Sequence, residues 1–228
     1  MCVANDLRAK FRMFEKARST RSLSRRPPFR KSQTRALIVC EGEKTEPTYL
    51  RDLISDLGLS SADVRICGKE CGSDPKSIYC YALEAFHQDG DYDTVFCVFD
   101  RDEHVTFDWA CKAISETKLP NSRKIICIKS VPCFEYWLML HFKQSTAPIN
   151  RSKGKSPGEL AVAKLKKLLP SYEKGAEGVF KLTRQYLPQA IQRSKTVENE
   201  AAKNGSENPI TLMHVLVDHL NNMAKTKV

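Results

Sequence analysis

The sequence predicts an α/β fold: a mostly parallel sheet flanked by helices, with a C-terminal helical extension. Three observations carry that reading. Short runs rich in Val, Ile, Phe and Cys recur between residues 36 and 128. Stretches with helical spacing lie between them. After Phe142 the apolar runs stop and helical patterns continue alone. Strand–helix alternation builds parallel sheets, and strands covered on both faces read as near-continuous apolar runs.

Taken in order, strands are expected at Ala36–Cys40, Thr94–Phe99 and Lys124–Ile128, with a weaker one at Asp63–Cys67. The first helix is expected over Thr48–Leu57, where Tyr49, Leu50, Leu53, Ile54 and Leu57 recur at i, i+3, i+4 spacing. Ser77–Phe86 and Phe107–Ser115 carry similar patterns. Asn150–Gly158 is polar, with Lys, Ser, Gly and Pro, and reads as a loop. Helices are then expected at Glu159–Leu169, Gly178–Tyr186, Pro188–Asn204 and Pro209–Asn222. Pro209 is read near the start of the last helix, with Leu212, Val215, Leu216 and His219 on one face. The expected organisation is a basic arm (1–34), an α/β domain (35–145) and a helical extension (146–228) packed on the sheet.

Charge is concentrated at the N-terminus. Residues 1–35 hold eleven Lys/Arg against Asp6 and Glu15, which accounts for +9 of the net +10. Such an arm suits a polyanion, and Arg21, Arg25, Arg26, Arg30, Lys31 and Arg35 are its candidate nucleic-acid contacts. The competing reading is a solvated tail. Pro27-Pro28 and the serines around it favour an extended second half. The arm has a transit-peptide-like Arg content, but Asp6 and Glu15 interrupt it, and no apolar h-region marks a secretory signal. No apolar run approaches the ~18 residues that span a bilayer, so no membrane partner is expected. Nine Cys without a C-x-x-C pair point to a reducing cytoplasm. Cys67, Cys71 and Cys80 are close in sequence but do not have zinc-finger spacing.

Carboxylates gather at the expected strand ends. Glu41 follows the first strand, Asp100 and Asp102 end "VFCVFDRDEH", and Glu135 follows the strand in "IICIKSVPCFEYW". In open parallel sheets, ligands bind outside the carboxyl ends of the strands. Clustered carboxylates repel unless protons or a cation compensate, and hard oxygen donors suit Mg²⁺ or Mn²⁺. Asp100 and Asp102, two apart on an extended chain, are expected to share one ion. Glu41 is expected to do acid/base work and also to contact the metal. Glu135, at a helix start, is expected to complete the metal shell or hold its water. Lys44 and Lys174 are candidate phosphate-neutralising cations, with His104 a further candidate. His141 shares a helix face with Phe134 and Trp137 and reads as structural.

A Glu-Gly after the first strand followed by a later D-x-D resembles the TOPRIM fold. "IVCEGEKTEPTYL", "VFCVFDRDEH" and "PCFEYWLMLHF" together resemble the RloB-like family, which includes the second component of the AbiL abortive-infection system. "YEKG" at Tyr172–Gly175 and "NPITLMHVLVDHL" from Asn208 fit as well, so the likeness runs from about Arg35 to Leu220. Val131 departs from it, standing where a polar residue is expected. The resemblance implies a TOPRIM-like sheet, Mg²⁺- or Mn²⁺-dependent phosphodiester cleavage, a role as effector in anti-phage defence, and a neighbouring ABC-like ATPase. "GEKT" and "GKS" both lack the full P-loop pattern, so no ATPase is expected in this chain. The rival classes are a non-catalytic nucleic-acid-binding or regulatory subunit and a nucleotide phosphatase or phosphotransferase. Convergence of Glu41, Asp100, Asp102 and Glu135 on one open pocket separates the first from a nuclease. A long basic arm disfavours the second, because small nucleotides need no such arm.

Overall fold

The computed structural model describes residues 34–102 and 104–227. The arm through residue 33, with Arg21, Arg25, Arg26, Arg30 and Lys31, lies outside them. One five-stranded sheet has the order β2-β1-β3-β4-β5. Strands β1 (Ala36–Cys40), β2 (Val64–Cys67), β3 (Thr94–Asp100) and β4 (Lys124–Val131) run parallel. The short β5 (Ile210–Thr211) pairs antiparallel with β4.

All five residues of β1 are fully buried, because helices cover both faces of the sheet. The period of two divides the strand between two cores. Ala36, Ile38 and Cys40 join Phe96, Val98 and Ile128 on one face. Leu37 and Val39 join Val95, Cys97 and Phe99 on the other. Each fully buried Leu or Ile contributes roughly 1.5–3 kcal/mol.

Helices α2 (Pro75–Asp89) and α3 (Phe107–Glu116) cover the second face through Ile78, Ala82, Phe86, Phe107, Ala110 and Ile114. α2 begins earlier than its apolar spacing predicts. The Asp74 carboxylate accepts from the Lys76 N–H at 3.1 Å, and Pro75 occupies the first turn, where it gives up no hydrogen bond. The first face takes α1 (Thr45–Asp56), α4 (Glu135–Leu140) and the C-terminal helices α5 (Pro157–Leu168), α6 (Val179–Thr183), α7 (Leu187–Asn204) and α8 (Met213–Lys227). The helices after residue 145 therefore share a core with the sheet. Arg193 on α7 donates to the Leu140 and His141 carbonyls at 2.7 and 2.8 Å, satisfying the open C-terminal end of α4. Among the described residues, no helix is long and apolar enough to cross a membrane.

Two expectations change. Pro209 does not start a helix: Ile210 and Thr211 extend the sheet, pairing with Val131 and Ser130, and α8 begins at Met213. The Ser130 and Thr211 hydroxyls are 3.1 Å apart, which fixes that register. The same pairing carries β4 to Val131, which is buried in the second core, so an apolar residue suits that position. The stretch read as one helix over Gly178–Tyr186 divides into α6 and a 3-10 turn at Arg184–Tyr186.

Candidate functional site

Strands β1 and β3 deliver the acids. The Glu41 N–H continues the ladder beyond β1 by donating to the Val98 carbonyl at 3.0 Å. Its carboxylate then turns across the strand end, where Oε2 accepts from the Asp100 N–H at 3.1 Å. Oε1 lies 2.6 Å from His104 Nε2. Asp100 is fixed from the other side, because Oδ2 accepts from the Phe134 N–H at 3.0 Å. That bond joins the end of β3 to the turn before α4, which presents Glu135. Glu135 is buried, and its Oε1 accepts from the Tyr172 hydroxyl at 2.9 Å.

Asp102 reaches the same cleft by another route. The extended chain ends at Asp100, so the expected common direction of the two aspartates does not hold. Arg101 and Asp102 donate their N–H groups to the Ser130 and Pro132 carbonyls, and Asp102 turns left-handed at φ 30°. Its exposed carboxylate lines the cleft from the turn.

Glu46 was not singled out in the sequence. It stands in the first turn of α1 and leans back over the β1–α1 loop. A Cβ at Gly42 would fall on the Glu46 carboxylate, so a side chain there would displace Glu46 from this position. Burial pushes Glu46 up to about 7, helped by Glu135 and Glu41 and opposed by Lys174. Burial likewise raises Asp100 well above the carboxylate range, with Glu46, Glu135 and Glu41 adding to it and the Phe134 N–H opposing. Glu41 is raised by burial, against the Asp100 N–H and His104. These are like charges held together in a poorly solvated place.

A cleft of about 340 Å³ opens on this cluster, lined by Glu41, Glu46, Asp100, Asp102, Lys44 and Lys174 among others. Burial alone would lower Lys174, but Glu135, Asp100 and Glu46 outweigh it and raise the ammonium above its ordinary value. Gly175, at φ 79°, brings this loop against the Lys44 side chain. A larger cavity of about 620 Å³ lies at the edge of β2. Arg35, Arg51 and Arg65 line it with a single acid, Asp89.

Arg35 is therefore not brought to the acids. It precedes β1 and sits at the opposite end of the sheet, where its guanidinium meets the Ala62 carbonyl, Asp91 and the Tyr92 ring. His141 is buried behind the site between the Tyr49 hydroxyl and the Trp137 carbonyl, and burial lowers it to about 4.

The acids fit a hard divalent cation by chemistry. Their donors are carboxylate oxygens, and their raised pKa values report a need for positive charge. Among the described residues, no three of their ligand atoms lie within 4.8 Å of one another. Mg–O bonds of ~2.1 Å put any two ligands of one ion within about 4.2 Å, so no three of these acids ligate one ion directly in this arrangement, and some of them would reach it through its waters.

The model of a family described as RloB-like protein matches residues 36–220. The chain belongs to the RloB-like family. The match covers β1 through most of α8, so every acid of the cleft in this RloB-like chain lies within it, with Tyr172 and Lys174. No curated protein and no solved structure matches the chain.

Proposed function

We propose that this RloB-like protein is a metal-dependent nuclease of the TOPRIM type, acting as an effector in anti-phage defence. The observation that carries the reading is the cleft lined by Glu41, Glu46, Asp100 and Asp102; Glu135 does not line it but is buried behind, where it helps raise Glu46 and Asp100. Glu41, Asp100, Asp102 and Glu46 would hold Mg²⁺ or Mn²⁺, with Glu135 supporting from behind. When bound, the ion supplies stabilisation for charge developing on a phosphoryl oxygen.

The chain's own groups divide the remaining work. Thr45 and Lys44 bring the N-terminal end of α1 to the cleft, where N–H groups favour a phosphate. Lys174, on the loop packed against Lys44, neutralises a phosphate oxygen. Glu41 and His104 share a short contact and together hold or pass a proton. Tyr172 fixes the Glu135 carboxylate. The basic arm would track the nucleic-acid backbone, and ATP chemistry would come from a second chain, since this one carries no P-loop.

The test incubates the full chain with tRNA, plasmid and single-stranded DNA, with and without Mg²⁺ or Mn²⁺. Metal-dependent cleavage of at least one substrate, lost in Asp100→Asn, is expected. Metal binding without cleavage of any substrate, alone or with its ATPase, rejects the nuclease in favour of a regulatory subunit.

A further inference from the structure

The turn after β2 brings together a different donor set. Cys67 ends β2, and the 3-10 turn Lys69–Cys71 folds Glu70 and Cys71 back beside it. One ligand atom from each of Cys67, Glu70 and Cys71 lies within 4.8 Å of the other two. Both thiols are buried while Glu70 is exposed, so the group opens to solvent on its carboxylate side. We propose that Cys67, Glu70 and Cys71 form a second metal site, for a thiophilic divalent cation such as Zn²⁺, distinct from the acidic cleft.

The donors suit such an ion. Two sulfurs and one carboxylate oxygen are ordinary zinc ligands, and Zn–S bonds of ~2.3 Å in a tetrahedron set sulfurs about 3.8 Å apart. Closing from the observed spacing to that distance requires only small side-chain movement in the turn. Arg65 stands two residues before Cys67 on the same strand. It offsets the negative charge of two thiolates and a carboxylate around one dication. Three protein ligands leave a fourth position for water. The spacing of Cys67 and Cys71 lies within the range zinc sites use, but no second Cys or His pair accompanies it in sequence, and the third ligand is a glutamate inside the turn.

The turn also touches the acidic cleft. A Cβ at Gly68 would lie 2.9 Å from the Gly42 carbonyl oxygen and 3.1 Å from Pro47 Cγ, and Ser73 lines the cleft. An ion here would pin the loop that supports Glu41-Gly42.

Titration of the reduced, demetallated full chain with Co²⁺ tests the site by thiolate-to-cobalt charge-transfer absorption, which carboxylates do not give. One equivalent of Co²⁺ should develop the band, and Zn²⁺ should erase it while Mg²⁺ does not. Cys67→Ala and Cys71→Ala should each abolish it, with folding checked by circular dichroism. The exposed Glu70→Gln should weaken it without touching the core. Cys80→Ala and Asp100→Asn should leave it intact. Absence of the band in the unaltered protein, or its persistence in either cysteine variant, overturns the proposal.

Discussion

The two ends of the sheet handle charge in opposite ways. At the start of the strands, acids and bases are matched. Arg35 lies near Asp89 and Asp91, Asp93 accepts from the Arg35 N–H, and buried Asp63 holds the Lys227 ammonium together with Ser60. Burial alone would raise Asp63, yet those hydrogen bonds win and keep it below its ordinary value. At the strand ends, Glu41, Glu46, Asp100 and Glu135 crowd together beside Lys174 and His104, and burial raises Glu41, Glu46 and Asp100. Matched charge at one end keeps its groups ionised, whereas burial and like charge at the other hold Glu41, Glu46 and Asp100 toward their protonated forms, a perturbation that functional sites often carry.

The largest effect should come from removing the acid held by two elements. Asp100→Asn should lower metal-supported cleavage by at least ~100-fold and weaken Mg²⁺ binding, measured by isothermal titration. Its melting temperature should hold or rise, because a repelling charge is gone. Unfolding of this variant would move Asp100 to the structural side of the comparison.

Next is Glu46→Gln. Without metal Glu46 holds its proton up to about 7, so the rise of Mg²⁺ affinity with pH near that value should flatten in the variant. Activity should drop by roughly 10–100-fold. An unchanged profile would leave Glu46 a bystander.

Stability should run opposite ways with pH at the two ends. Glu46 binds its proton more tightly folded than unfolded, so the metal-free protein should lose stability as pH rises from about 4.5 to about 7. Asp63 is the reverse: its contribution is present above its ordinary 3.8 and lost as pH falls through the lower folded value. Chemical denaturation from pH 3 to 8 should therefore give a maximum that moves upward in pH when Mg²⁺ is added or in Asp100→Asn. A profile insensitive to both would break the contrast.

The smallest effect is expected at an exposed pair. Arg184 and Asp56 meet at 2.9 Å, but Arg184 is largely exposed. Arg184→Met should cost no more than ~1 kcal/mol in urea unfolding.

The sheet was legible because buried parallel strands leave continuous apolar runs, and Glu41, Asp100 and Glu135 were legible because they follow those runs. β5 was not, because two residues following Pro209 carry no period and are set by pairing with Ser130 and Val131. Glu46 was hidden by its place inside a helix pattern, where an acid in the first turn is ordinary. Its signal was the Gly42 that makes room for it. Asp102 lines the cleft by a path the sequence did not show, since the alternation of an extended chain stops at Asp100.

The cleft is also divided by chain order. Glu41, Glu46, Asp100 and Asp102 precede residue 103, whereas Glu135 lies on α4 and Tyr172 and Lys174 come from the loop after α5. A chain cut within the polar loop at 150–155, before the Ser156 cap of α5, would leave four carboxylates and Glu135 in one fragment, and Lys174 and Tyr172 in the other. Neither fragment holds a complete site. The same division offers a practical handle: two separately expressed halves would regain a full cleft only on reassociation, so any chemistry of the cleft could be switched on by mixing them.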